Sequence, residues 1–296
     1  MIDPTLPGEN LRCIIFMVIA MAGFAIEDSV IKQLSYSMPI SQVLMLIGLG
    51  GLLMFSGAAL TRRTQLFTSD IGKPWFLIRT LAELFSAIFF VVAIVYASLS
   101  TSSAILQATP LVVSLVGVLF LRQVVFVQQW FLILVGFIGV IFVIQPGMDD
   151  FNPAALFAVV GVLFLAVRDA ITRFISVSIP AIVVSFWAFF AVFMAGVVTI
   201  PFFASFRFLT PDDLLLLLVS ALAGSGAYFC IVLATRGGDI AVVSPFRYSR
   251  LLFALMLAVI FFDEEINSMM LVGSGLITIS GVLMIRWGGA RKVVRR

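Results

Sequence analysis

A few charged side chains interrupt the long apolar runs of this chain, and their types and spacing are what could do chemistry. Glu83 lies nine residues past Pro74, and Arg250 ten past Ile240. At 1.5 Å per residue, both fall about 14–15 Å into a helix, near the middle of a hydrocarbon layer about 30 Å thick. A charge at that depth costs roughly 2.5–3.5 kcal/mol on insertion scales, so it needs a partner or a wet cavity. The two are expected to line one cavity and pair across it. Arg247 sits one turn below Arg250, Ser244 shares a stripe with Arg247 at i, i+3, and Tyr248 lies on a neighbouring face. Gln107 and Tyr228 add hydrogen-bonding handles, and Arg79 is one turn from Glu83. An acid and several guanidinium groups around one hollow suit a zwitterion, with carboxylate on arginine and ammonium on carboxylate or ring face. The competing reading is structural pairing alone.

A second group of residues reads as hinge or gate. Pro245 removes a backbone donor and frees the carbonyl four residues earlier, and Pro110 does the same beside Gln107 and Thr109. Proline-interrupted helices in comparable places of two halves point to ligand-facing, moving elements. Asp28 with Lys32, and Asp169 with Arg173, are i, i+4 acid-to-base pairs worth a few tenths of a kcal/mol each. Arg79 and Arg168 lie close enough to a helix end to snorkel. Trp187 and Tyr228 are cavity candidates because each has a polar handle. Gly224 and Gly226 are expected to let helices approach closely.

Other chemistries lack their residues. There is no histidine, and the two cysteines, Cys13 and Cys230, are isolated in apolar runs and read as reduced packing residues. No cofactor or metal site is expected, and a membrane-embedded enzyme would need a clustered nucleophile and base or paired metal ligands. A channel would need a repeated pore loop, which the short connections cannot hold.

The elements that position these residues follow from composition. Hydrophobic residues make up 62% of 296 positions and charged residues 11%, with a mean hydropathy of +1.21. A soluble domain would carry roughly twice that charge. Breaking the chain at Pro, Gly and charge clusters gives ten runs long enough to span: 11–31, 40–60, 74–96, 101–121, 127–145, 153–173, 181–203, 212–235, 240–262 and 267–287. With the N-terminus inside, twelve Lys and Arg fall on the inner side, two on the outer, and four within spans. By the positive-inside rule both termini are cytoplasmic. The basic C-terminal end is read as a membrane anchor and not as a nucleic-acid tail.

The chain also resembles itself. Residues 24–35 (FAIEDSVIKQLS) line up with 165–176 (LAVRDAITRFIS) at an offset of 141, and 139–147 (GVIFVIQPG) with 281–289 (GVLMIRWGG) at 142. Each copy holds five spans. Five is odd, so the second copy enters the membrane from the opposite face. The expected architecture is all-α: ten transmembrane helices as two inverted five-helix repeats, divided as 1–148 and 149–296.

Ten helices in this arrangement resemble the drug/metabolite transporter superfamily, in particular its EamA-type members. The segment 241–264 (AVVSPFRYSRLLFALMLAVIFFDE) is similar to that family's ninth helix and ends in its acidic residue. The first-half counterpart runs from 103 (SAILQATPL) to Arg122, where the family usually has Glu. The resemblance, closest to amino-acid exporters of the YddG type, implies a bacterial inner-membrane carrier working by alternating access. Its partners would be the lipid bilayer and a small-molecule substrate, amino acids (aromatic ones included) or similar metabolites, moved outward. A drug or cationic-compound exporter of the same superfamily is the alternative, and would need Glu83 but not Arg250.

Overall fold

In hydrocarbon every backbone N–H and C=O must be paired within its own segment, so apolar runs of this length become helices. The computed structural model describes residues 7–121, 127–147, 151–172, 174–175, 179–203, 206–237 and 240–293. Its helices are α1 (Pro7–Ser35), α2 (Ile40–Thr61), α3 (Pro74–Tyr96), α4 (Leu99–Leu106), α5 (Thr109–Leu121), α6 (Val127–Ile144), α7 (Ala155–Thr172), α8 (Ala181–Thr199), α9 (Pro211–Gly237), α10 (Ile240–Val243), α11 (Ser249–Phe262) and α12 (Ser268–Val293). Nine segments among the described residues are long and apolar enough to cross a bilayer, and the Ser268–Met284 stretch of α12 supplies a shorter tenth.

Proline and capping side chains set the boundaries. Pro39 and Pro180 precede α2 and α8 in extended conformation, and Pro74 opens α3, where its missing N–H goes unneeded. Ser98 caps α4 by accepting from the Thr101 N–H at 3.0 Å. Asp263, at φ +50°, turns the chain out of α11.

Two expected spans are broken. The fourth is divided into α4 and α5, and the ninth into α10, a 3₁₀ turn at Ser244–Tyr248, and α11. The breaks fall beside Pro110 and Pro245, as the freed carbonyls require. At the first, the Thr109 hydroxyl donates to the Leu106 carbonyl at 2.5 Å. That carbonyl is the one left without the Pro110 N–H.

Helix packing reveals the relation between the halves. The first span of half one (α1) packs on the third of half two (α9), and the first of half two (α7) on the third of half one (α3). The second spans (α2, α8), the fifth (α6, α12) and pieces of the fourth and ninth (α4, α11) pack on their own counterparts. Exchanging the halves leaves this pattern unchanged, as two repeats of odd span number require. We call the side from which α1 starts the near face and the side where it ends the far face. An even number of crossings returns α12 to the near face. Glycine lets the α6–α12 seam close: a Cβ on Gly139 would lie 2.7 Å from the Gly273 carbonyl, and one on Gly273 2.6 Å from that of Gly139. Gly226, expected to serve the same purpose, faces open space instead. Exposed Leu53, Leu81, Leu134, Leu218 and Leu252 form part of the apolar surface that lipid would cover.

Candidate functional site

The charged residues gather between α1, α3, α7, α9 and α11. At the α3–α7 seam, Arg168 donates to Glu83 Oε1 at 2.8 Å through Nη1 and to Asp169 Oδ1 at 2.9 and 2.7 Å through Nε and Nη2. Arg79 is only 2% exposed. It donates to the Thr172 hydroxyl and to the Tyr228 hydroxyl, both at 3.3 Å, and its Nη2 stands 3.6 Å from Glu83 Oε2. Snorkelling is thus corrected for both arginines, because each finds a carboxylate within the bundle. The network is not saturated: Arg79 Nη1 and Glu83 Oε2 are buried without a hydrogen-bond partner.

Arg250 forms a second centre. Its Nη2 and Nε donate to Asp28 Oδ2 at 2.6 and 3.2 Å, and its guanidinium lies over the rings of Phe24 and Phe90, 5.2 and 5.8 Å from their centroids. Glu83 and Arg250 therefore do not pair with each other as expected. Each finds its ion partner on a helix packed beside its own, α7 for Glu83 and α1 for Arg250. Tyr228 joins the two centres. It accepts from Arg79 and meets Phe24, Phe55 and Phe189 at centroid distances of 6.0–6.3 Å.

The i, i+4 pairing of Asp28 with Lys32 is also corrected. Asp28 goes to Arg250, while Lys32 forms an ion pair with Glu264 and lies 5.0 Å from the Phe262 ring centroid. Asp169 is held by its neighbour Arg168; Arg173 lies outside the described residues, as does the side chain of Ser244. Arg247 makes no hydrogen bond or close ion pair among the described residues, though its charge acts on Asp169. The hydroxyl of Tyr248 is buried without a partner where a side chain on Gly281 would collide with it. Gln107 Nε2 and the hydroxyls of Ser102 and Ser103 on α4 are likewise buried and unpartnered. Trp187 is not at this site: it donates to the Leu66 carbonyl at 3.2 Å in a near-face aromatic group with Phe67, Phe76 and Phe190.

Two important acids were given no partner in the sequence reading, which named Glu264 only as the acidic end of its helix and Glu27 only within the repeat. Glu27, half-buried on α1, makes no hydrogen bond or ion pair among the described residues. Its carboxylate rests on Gly224 of α9, where any side chain would displace it. Its position beside Asp28 in the repeated segment was the available signal. Glu264 ties three elements together at the far face. Beyond Lys32, it accepts from the Leu99 N–H at 2.8 Å, the Ser100 N–H at 3.0 Å and the Ser100 hydroxyl at 2.5 Å. Burial alone would push the Glu264 carboxyl up, but these donors outweigh it and hold it below the usual carboxylate range. Further far-face links are reciprocal bonds between Gln145 and Asn267 and between Gln42 and Arg207. A surface pocket at this face, lined by Ser35, Met38, Tyr96 and Phe203 among others, has no charged residue in its wall.

A bundle of ten antiparallel crossings, with swapped halves and charges assembled between its helices, defines a multi-pass membrane protein of the inverted-repeat carrier class. The chain belongs to the EamA-like transporter family, whose model matches it twice, at residues 11–145 and 152–286, and so to the drug/metabolite transporter superfamily. It is similar to the S-adenosylmethionine uptake transporter of Rickettsia bellii, 29% identical over 61% of this chain and 62% of that one, so less than two thirds of the relative's length is matched. It is 24% identical to the pseudopaline exporter CntI of Pseudomonas aeruginosa over 92% of this chain and 95% of that one. A riboflavin transporter of Vibrio cholerae is also 24% identical, over 94% of each chain. One solved crystal structure shares the fold at a TM-score of 0.64, with 16% identity, covering 96% of this chain and 99% of the other.

Proposed function

We propose that this chain carries a small zwitterionic metabolite, an amino acid or a close analogue, across the bacterial inner membrane by alternating access. Export is the direction we assign, with both termini cytoplasmic and the halves dividing near residue 148. The observation carrying this reading is the group of acids and arginines between α3 and α7 that leaves Arg79 Nη1 and Glu83 Oε2 unsatisfied. Buried polar atoms without partners cost about 1–3 kcal/mol each, and a solute with both donors and acceptors relieves that cost. Arg79, Glu83, Gln107, Tyr228, Arg247, Tyr248, Arg250 and Ser244 are the proposed contacts. The breaks at Pro110 and Pro245 supply hinges, and Asp28, Lys32, Asp169 and Arg173 are the proposed gate residues. The family and the relatives' names support transport of organic metabolites, while those names include both uptake and export.

The test is counterflow of labelled amino acids in proteoliposomes. Glu83→Ala and Arg250→Ala should each lower amino-acid transport at least tenfold. Undiminished transport in both variants removes the site assignment. Loss in Glu83→Ala alone, with organic cations carried by the wild type, favours the cationic-compound exporter.

A further inference from the structure

The two crossed seams, α1–α9 and α3–α7, are copies of one another. Positions 27 and 168 differ by the repeat offset of 141, and so do positions 83 and 224. In the α3–α7 seam the pair is Arg168 and Glu83, bonded at 2.8 Å. At the same place in the α1–α9 seam Glu27 faces Gly224. One seam therefore contains a finished ion pair, and the other a carboxylate opposite a residue with no side chain.

The surroundings of Glu27 are those of a cation site. Three residues before it on α1, Phe24 meets Tyr228 edge-on at 6.3 Å, and Tyr228 lies four residues past Gly224 on α9. One turn the other way on α9 is Ser220, fully buried, whose hydroxyl has no partner. Nearby Arg250 acts on Glu27 only through its charge, because both of its bonded nitrogens go to Asp28. A carboxylate beside aromatic faces binds organic cations by Coulomb attraction reinforced by the ring quadrupole.

We propose that Glu27, seated on Gly224 and flanked by Phe24 and Tyr228, receives the cationic group of the transported solute, which completes the ion pair missing from this seam. The carboxylate end of the same solute goes to Arg247, which makes no hydrogen bond or close ion pair among the described residues. This rests on the zwitterion reading above and sharpens it. An ammonium or sulfonium group is a required feature of the substrate, and a solute carrying a carboxylate alone is refused.

The test uses the full chain in proteoliposomes with three labelled solutes. L-methionine has an ammonium and a carboxylate, S-methyl-L-methionine adds a sulfonium, and N-acetyl-L-methionine keeps only the carboxylate. The wild type should carry the first two and not the third. Glu27→Gln should lose at least tenfold in kcat/KM for both, mainly through KM, and Glu27→Asp should recover part of it. Gly224→Ala, which crowds the carboxylate from the other helix, should reproduce the loss while Glu27 remains. Equal handling of L-methionine by wild type and Glu27→Gln overturns the assignment of Glu27 and leaves the carrier reading standing. So does wild-type transport of N-acetyl-L-methionine at the rate of L-methionine. A wild type that moves none of the three overturns both.

Discussion

The α3–α7 and α1–α9 seams share one backbone arrangement, yet charge is used differently in each. In the first seam the charges are paired: Glu83 meets Arg168 and Arg79, Arg168 meets Asp169, and Thr172 and Tyr228 accept from Arg79, with Arg79 Nη1 and Glu83 Oε2 left open. The stacked rings of Phe85, Phe89 and Phe164 continue it, with centroids 5.1–5.8 Å apart. The second is left open at the corresponding point, where Glu27 meets Gly224. A repeat obliges the two seams to have the same shape but not the same occupancy. Stability can then be invested in the Glu83–Arg168 pair of one copy while the matching carboxylate of the other is left for a ligand alone.

The largest expected effect tests that division directly. Glu83→Ala leaves buried Arg79 without a carboxylate and Arg168 with Asp169 alone, and should cost about 3–5 kcal/mol in denaturant unfolding in detergent. Glu27→Gln, which breaks no pair, should unfold at the wild-type midpoint. Equal destabilisation by the two variants would erase the contrast. A Glu83/Arg168 double-mutant cycle sharpens it, with a coupling energy of about 0.5–3 kcal/mol expected; additivity would mean that the 2.8 Å contact contributes nothing. Next is Glu264→Gln, which weakens charge-assisted bonds worth about 1.5–3 kcal/mol each and should lower stability by an amount of that order. Because the folded Glu264 carboxyl titrates below its unfolded counterpart, its contribution is complete above the ordinary carboxylate value of about 4.3 and disappears as pH falls through the folded value. Thermal melts at pH 7 and pH 4 should therefore differ more for the wild type than for Glu264→Gln. Smallest of all, Thr109→Val removes one neutral hydrogen bond at the Pro110 break, about 0.5–1.5 kcal/mol in the same unfolding assay.

Much of the architecture was legible in the sequence because the hydrocarbon imposes it. Apolar length gave the spans, and the odd repeat gave the inversion. Pro110 and Pro245 marked the breaks, although the 3₁₀ geometry at Ser244–Tyr248 was not visible in a pattern of apolar residues. The ion partners were much harder to read. Glu83 and Arg250 are at similar depth, and depth was the only coordinate that counting along a helix provides. Which faces meet depends on crossings between α1, α3, α7, α9 and α11, and these bring together residues 85 and 222 positions apart. Local spacing misled for Asp28 and Lys32, since a few tenths of a kcal/mol on one helix cannot compete with a buried guanidinium or a capped carboxylate from another. Glu27 was overlooked because its defining feature, an absent side chain at Gly224, belongs to a different helix.

Glu264 belongs to the second half of the chain, yet every donor it binds, on Lys32, Leu99 and Ser100, belongs to the first. These bonds converge on a single carboxylate, so separating the halves at that end cannot proceed by small increments; they part together or not at all. Fluorophores placed across this boundary should report two discrete dwell levels with abrupt jumps between them, and neutralising the carboxylate should shorten the closed dwell without moving either level.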